Sequence, residues 1–316
     1  MAPLVSIVIP AYGHADFVLD AVGSALAQRY APLEVIVVDD GSPDDTPARL
    51  APLVEAGRIR YVRQPNAGVA AARNHGASLA RGEYLLFFDD DDLLHPDALA
   101  SLVAVAAGDP ALAMVYGDRT DFRGASAVAW SAGATPPVVE RADRLAFLVH
   151  NRIASPGQVL LRRRVFEALG GFDRSIWGAD DWDLWLRLLA GERGAHVRQP
   201  VLAYRVHSAN TSSATARMWL EARRVIERHL ALVPAEDRAI VARHAVGWLR
   251  SYLGSQGARQ LREAARRADW ISVAAAGMIL VRMWEADVRA RMTLKVQLAR
   301  RGLWRLPREH HLHDLK

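Results

Sequence analysis

A chain of 316 residues with 51% apolar side chains can bury a substantial core and divides into two or three regions. The lack of cysteine excludes disulfides, thiolate zinc sites and cysteine nucleophiles, and fits a reducing compartment. The net charge of +5 conceals an asymmetry: residues 1–215 carry 20 Arg against 25 acids, and residues 216–316 carry 20 Lys and Arg against 10 acids, giving −5 and +10. A basic C-terminal third points to an acidic partner, with anionic lipid, nucleic acid and an acidic surface as the candidates. Nucleic acid is not expected, because arginine and alanine richness reads as compositional bias.

The N-terminal half alternates strands and helices. Residues 5–9 form a continuous apolar strand that Pro10 stops, and Phe17, Val18, Ala21, Val22, Ala25 and Leu26 then recur with helical spacing. A second strand at 34–38 ends in Asp39 and Asp40. Ser42 as N-cap, Pro43 as first helical residue and Asp45 in the first turn predict a helix start. A third strand at 59–62, a loop through Gln64-Pro65-Asn66-Ala67-Gly68 and a helix at 69–80 lead to a fourth strand at Tyr84. Another strand is expected at 112–116. The pattern predicts a mostly parallel sheet covered on both faces, with ligands bound at the carboxyl ends of its strands.

The fourth strand runs straight into Asp89-Asp90-Asp91-Asp92. In an extended chain Asp89 and Asp91 share one side, and Asp90 and Asp92 the other. Carboxylates this close need positive charge between them, and a hard divalent cation supplies it through oxygen ligands. Further on, Asp180-Asp181 open an amphipathic helix containing Leu184, Trp185, Leu188 and Leu189. A helix N-terminus favours an ionised carboxylate, as a general base requires.

Six blocks in order carry a family resemblance: Val5-Ser6-Ile7-Val8-Ile9-Pro10-Ala11-Tyr12, Val37-Val38-Asp39-Asp40-Gly41-Ser42, Asn66-Ala67-Gly68 with Ala72-Arg73-Asn74, Phe88-Asp89-Asp90-Asp91-Asp92, Gly170-Gly171-Phe172-Asp173, and Asp180-Asp181-Trp182-Asp183-Leu184-Trp185. Over residues 4–213 the chain resembles a family 2 glycosyltransferase of the GT-A fold. The resemblance implies a nucleotide-sugar donor linked to UDP, dTDP or GDP, a Mn²⁺ or Mg²⁺ ion, and inversion at the anomeric carbon.

By the same resemblance, Pro10, Ala11 and Tyr12 flank the nucleoside and Asp40 bonds its base. Asn66, Gly68, Arg73, Asp89 and Asp90 complete the nucleotide contacts. Asp89 and Asp91 stand at the family's metal-associated D-x-D positions, with Asp91 the direct ligand, and His207, after Tyr204-Arg205, completes the metal site. Asp181 is the base. Asp180 stands on the acceptor side, the acceptor being a saccharide or lipid-linked hydroxyl; from their nearness to Asp181, Trp177, Trp182 and Trp185 offer a stacking surface, with Trp182 the expected acceptor contact and at least one of the three in the core. Two positions depart from the family: Asp90 stands where Ser is frequent, and Asp180 where Glu is frequent.

The expected division is a nucleotide-sugar half at 1–130, an acceptor-side half at 131–215 and a basic helical extension at 216–316. Within the extension, Trp219, Ala222, Val225 or Ile226, Leu230 and Val233 define one amphipathic helix, and Val241, Ala245, Trp248 or Leu249 and Tyr252 a second. The uncharged run 270–281 is shorter than the roughly 20 residues of a spanning helix. Flanked by arginines, it suits an anionic membrane surface, or else packing on protein, a second copy included. The opening Met1-Ala2-Pro3-Leu4 precedes the first strand without a leader, so a cytoplasmic location is expected, with peripheral contact at the inner face of the plasma membrane. Processive family members carry a Gln-x-x-Arg-Trp motif; its absence here predicts one sugar per encounter. Rival readings are a receiver-like Mg²⁺-binding signalling domain, against which chain length and the Asp180-Asp181-Trp182 block argue, and a homologue that binds nucleotide without turnover.

Overall fold

The computed structural model describes residues 2–124, 128, 130, 138–207, 214–266, 277 and 281. The chain forms two compact units, Met1–Ala214 and Thr215–Lys316.

The first unit is built on one nine-stranded sheet. Its strands are β1 (Val5–Ala11), β2 (Leu33–Asp39), β3 (Arg60–Arg63), β4 (Tyr84–Phe87), β5 (Leu93–Leu94), β6 (Leu112–Phe122), β7 (Val139–Arg141), β8 (Val159–Arg162) and β9 (Arg193–Arg205). The order is β3-β2-β1-β4-β8-β6-β9-β5, with β7 also on β9. Pairing is parallel from β3 to β4 and between β6 and β9, while β8 runs antiparallel between β4 and β6. Because β8 comes from the expected acceptor-side half and β4 from the nucleotide half, the two halves share a single sheet.

The apolar strands are continuous because both faces are covered. Ile7 and Ile9 join α1 (Val18–Leu26) and α4 (Ala98–Gly108) in one cluster. On the other face α3 (Val69–Leu79) lies so close that a Cβ on Gly76 would come within 2.3 Å of Val8 Cγ1 and 3.1 Å of Val38 Cγ2. Helix α3 can therefore sit directly on the sheet, which fixes the height of Arg73 above it.

Three local expectations change. Pro10 lies inside β1, because pairing with β4 ends at Val8 and its missing N–H removes no ladder bond on that side. Helix α2 spans Thr46–Glu55, and Ser42 does not cap it. Instead Ser42 N donates to Asp39 Oδ1 at 2.7 Å, and Asp44 accepts from Ala15 N and from Thr46. The residues that looked like a helix start thus build the loop that closes β2. The fifth expected strand, at 112–116, continues to Phe122 as β6, alongside the long β9.

The described residues of this unit also form helices α5 (Arg144–Val149), α6 (Arg163–Ala168) and α7 (Asp180–Leu188) and a short 3-10 helix at Pro156–Gln158. The second unit contains α8 (Thr215–Leu230) and α9 (Arg238–Arg266), which pack on each other, with Ala222, Val225, Ile226, Leu249 and Leu253 buried. No helix among the described residues is long and apolar enough to cross a membrane. The uncharged run at 270–281 lies outside the described residues except at 277 and 281.

Candidate active site

The carboxyl ends of β1, β2 and β4 share one edge of the sheet, and their loops are tied together there. Asp40 N donates to Ala11 O, and Tyr12 N donates to Asp90 Oδ2 at 3.0 Å. Asp40 is buried and accepts from Gln64 Nε2, Ala67 N and Gly68 N at 2.8 to 2.9 Å, so it shapes the 66–68 loop from beneath. Pro10 and Ala11 are buried, whereas Tyr12 is 49% exposed and Asn66 and Gly68 face solvent. Beside this loop a cavity of about 560 Å³ is lined by Gln64, Asn66, Asn74, His75 and Arg174 among others.

The acidic run does not stay extended. Asp92 N bonds back to Asp89 O, turning the chain so that the four carboxylates radiate instead of alternating between two sides. Each finds its own partner. Asp89 pairs with Arg73 Nη2 at 2.7 Å and accepts from Ser155 Oγ; Asp90 bonds His14 Nδ1 at 2.7 Å. Asp91 meets His207 Nε2 at 2.8 Å, and Asp92 accepts from Arg205 N at 2.9 Å. The compensation expected from one cation is thus spread over several basic groups. Arg205 is buried, sandwiched 4.6 Å from the Phe17 and Phe122 ring centres, and its Nε donates to Asp91 O, which clamps the turn to β9.

His14, Asp91 and His207 each bring a ligand atom within 4.8 Å of the other two. Two imidazoles and a carboxylate form a donor set that a divalent transition ion fits, and they approach from three separate stretches of chain. Asp89 lies outside this cluster, and its carboxylate is held by Arg73 and Ser155. Asp90 is likewise withdrawn from the nucleotide, since it is buried and both its oxygens are bonded within the protein. In the metal-free chain the hydrogen bond to Asp90 raises His14 to about 9, while burial raises Asp90 to about 6; a cation at Nε2 would displace the second ring proton and leave the Nδ1–H bond to Asp90 in place.

Arg73 connects the acidic turn to α7. It is 5% exposed and bonds Asp89 through Nη2 and Asp180 through Nη1, at 2.7 and 2.9 Å. Asp180 is therefore a buried ion-pair partner and not an acceptor contact; burial raises its pKa against the opposing pull of Arg73. Asp181 is half-buried. Burial first, then the charge of Asp180, lift it to about 7, overriding the ionising effect expected of the helix N-terminus.

Trp182 is also corrected: it is 2% exposed, its indole N–H donates to Phe147 O, and it has no open face for a sugar. Trp185 is fully buried, and Trp177 alone of the three retains partial exposure. The Gly170-Gly171-Phe172 block serves to dock α7's approach on α3. Asn74 bonds both Phe172 N and Phe172 O at 2.9 Å. Gly171 has φ of 75°, and a Cβ there would stand 2.5 Å from Asn74 Oδ1. Only glycine permits both the backbone shape and the approach.

His14, Ser155 and Arg205 take parts that sequence reasoning did not assign. His14 lies just past the first motif, and Ser155 opens a Ser-x-x-Gln capping box on the short turn Pro156–Gln158, a signal for the turn but not for the bond to Asp89. Arg205 stood in the block that led to His207, but its clamp role depends on a turn invisible in sequence.

Residues 6–170 match the family model described as Glycosyl transferase family 2. The chain belongs to this family. As a family 2 glycosyltransferase sequence it also matches, over residues 139–233, the model described as Glycosyltransferase like family 2. Chondroitin synthase of Escherichia coli is 32% identical over 212 residues, 66% of this chain and 30% of that protein. Hyaluronan synthase of Pasteurella multocida is 31% identical over 211 residues, 66% of this chain and 21% of that protein. The chain thus spans less than a third of the length of these relatives.

Among solved structures, S. aureus TarS 1-349 in complex with UDP-GlcNAc superposes with a TM-score of 0.63 at 16% identity, covering 95% of this chain and 92% of that one. Mannosyltransferase PcManGT from Pyrobaculum calidifontis, in complex with GDP-Man and Mn²⁺, gives 0.56 at 21% identity over 96% and 88%. The fold is the GT-A arrangement that the resemblance implied.

Proposed function

We propose that this chain transfers one sugar per encounter from a nucleotide-sugar donor to an acceptor hydroxyl, with inversion and with a divalent cation, in the synthesis of a surface polysaccharide or glycoconjugate. The observation that carries the reading is the Asp89–Arg73–Asp180 bridge, which ties the acidic turn containing Asp91 to the helix start containing Asp181. A donor end and a base end are thus held at fixed separation by one buried guanidinium.

In the transfer, Asp181 accepts the proton of the acceptor hydroxyl as its oxygen bonds to the anomeric carbon, and the bond from that carbon to the diphosphate oxygen breaks. A pKa near 7 suits a base that must be ionised yet basic at neutral pH. Asp91 and His207 would hold the cation, which when bound neutralises charge developing on the nucleoside diphosphate. Arg73 keeps Asp89 and Asp180 compensated. Tyr12 and Asn66, with Asp40 fixing the loop behind them, offer the exposed surface for the nucleoside.

Relatives named for UDP-GlcNAc and GDP-Man complexes support a nucleotide-sugar donor, while relatives named chondroitin and hyaluronan synthases support a glycan acceptor. The test is thermal unfolding of the full chain with UDP, GDP or dTDP, with and without Mn²⁺ or Mg²⁺. One nucleotide should raise the midpoint only when metal is present, and Asp91→Ala should abolish that gain. Equal stabilisation of wild type and Asp91→Ala would overturn the metal assignment; stabilisation by no nucleotide would overturn the donor.

A further inference from the structure

Building on this reading of the metal site, we propose that His14 is its third protein ligand, positioned by Asp90, and that two imidazoles make the site select Mn²⁺ over Mg²⁺. The argument starts from the donor atoms. His14 follows β1, Asp91 lies in the turn after β4, and His207 follows β9, yet their ligand atoms lie within 4.8 Å of one another. Their association is produced by the tertiary fold and not by a local sequence run.

Asp90 explains how His14 is held. Its Oδ1 stands 2.7 Å from His14 Nδ1, while its Oδ2 accepts from Tyr12 N at 3.0 Å, so the carboxylate is fixed to the backbone and to the ring at once. With Nδ1 engaged as donor, Nε2 is the nitrogen left to face a cation. A carboxylate that orients a histidine in this way is a recurrent support for metal ligands and strengthens the imidazole as a donor. Phe17 adds an apolar wall, with its ring centre 6.1 Å from that of His14 and 5.1 Å from that of His207. The two imidazoles meet edge to face at 5.6 Å.

The family resemblance noted Ser as frequent where Asp90 stands. A serine hydroxyl supplies no ionised acceptor for a histidine, so Asp90 and His14 are read as one paired feature of this chain. The chemistry then sets selectivity. Mg²⁺ is a hard ion that keeps oxygen ligands and several waters, whereas Mn²⁺ accepts imidazole more readily. A site with one carboxylate and two imidazoles removes an oxygen that Mg²⁺ would prefer. Asp90 acts as a positioning residue, since its oxygens are committed to Tyr12 and His14.

The decisive experiment counts nitrogens. Full-length protein is loaded with Mn²⁺, alone and with UDP or GDP, and electron spin echo envelope modulation reads the ¹⁴N couplings. Wild type should show two coupled imidazoles and His14→Ala one, with unchanged far-ultraviolet circular dichroism. By calorimetry, His14→Ala should weaken Mn²⁺ binding by about tenfold or more, and Asp90→Asn by about 10- to 100-fold, while Mg²⁺ affinity moves less than about threefold. A single coupled nitrogen in wild type, which needs no variant, would overturn the role of His14 while leaving the metal site at Asp91 and His207 standing. Full Mn²⁺ affinity in Asp91→Ala would instead overturn the site itself.

Discussion

Replacing Asp181 with Asn removes the carboxyl that burial and Asp180 raise to about 7. Loss of a general base costs about 10²- to 10⁴-fold in turnover, so kcat should fall by that factor while donor affinity stays near wild type. The pH profile carries a sharper expectation. Because the base acts only when ionised, kcat should rise with pH and level off above about 7; one unit below, about one carboxyl in ten is ionised and turnover should be about a tenth of the plateau. Asp180→Asn removes the second-largest cause of the shift, so the acidic limb should move to lower pH. It should stay above the ordinary aspartate range, because burial, the larger cause, remains. The assay is sugar transfer under saturating donor across pH 5 to 9. Turnover of Asp181→Asn within about threefold of wild type, or an acidic limb that Asp180→Asn leaves in place, would refute the assignment.

Arg73→Ala should cost about 3–5 kcal/mol in urea unfolding, because it strands Asp180 and Asp89 without their counter-charge; a loss below about 1 kcal/mol would show that neither depends on it. Gly76→Ala should cost about 1–3 kcal/mol by forcing α3 off Val8, and an unchanged unfolding midpoint would mean that the contact relaxes freely. The full chain should co-sediment with anionic vesicles at low salt through the +10 charge of residues 216–316, and equal, negligible binding to anionic and neutral vesicles would count against membrane contact.

The strands were legible because the sheet is covered on both faces: Ile7 and Ile9 meet α1 and α4, while Val8 and Val38 lie under α3, which forces apolar residues at successive positions. The acidic turn was legible as a site but not in its shape. Its geometry depends on His14 and Arg205, which are 76 and 113 residues from the carboxylates they bond, and no local pattern encodes such pairings. Trp182 shows the opposite failure. A tryptophan in the first turn of an amphipathic helix reads equally as core or surface, and only the carbonyl of Phe147 decides it. Asp180 was read as facing an acceptor because its charge was visible and Arg73, its partner 107 residues away, was not. The Ser42-Pro43 cap signal failed for a related reason: Asp39 and Asp44 compete for the same loop, and their bonds win.

The central claim is a single displacement in which Asp181 deprotonates the acceptor as the nucleoside diphosphate departs. It is tested most directly by ¹H NMR of the first product formed from an α-linked nucleotide sugar that the protein turns over with Mn²⁺. The account requires a β-linked product from the earliest time points, at a rate that Asp181→Asn depresses. An α-linked first product would contradict it, because retention needs a second displacement or a front-face path in which Asp181 is not the base.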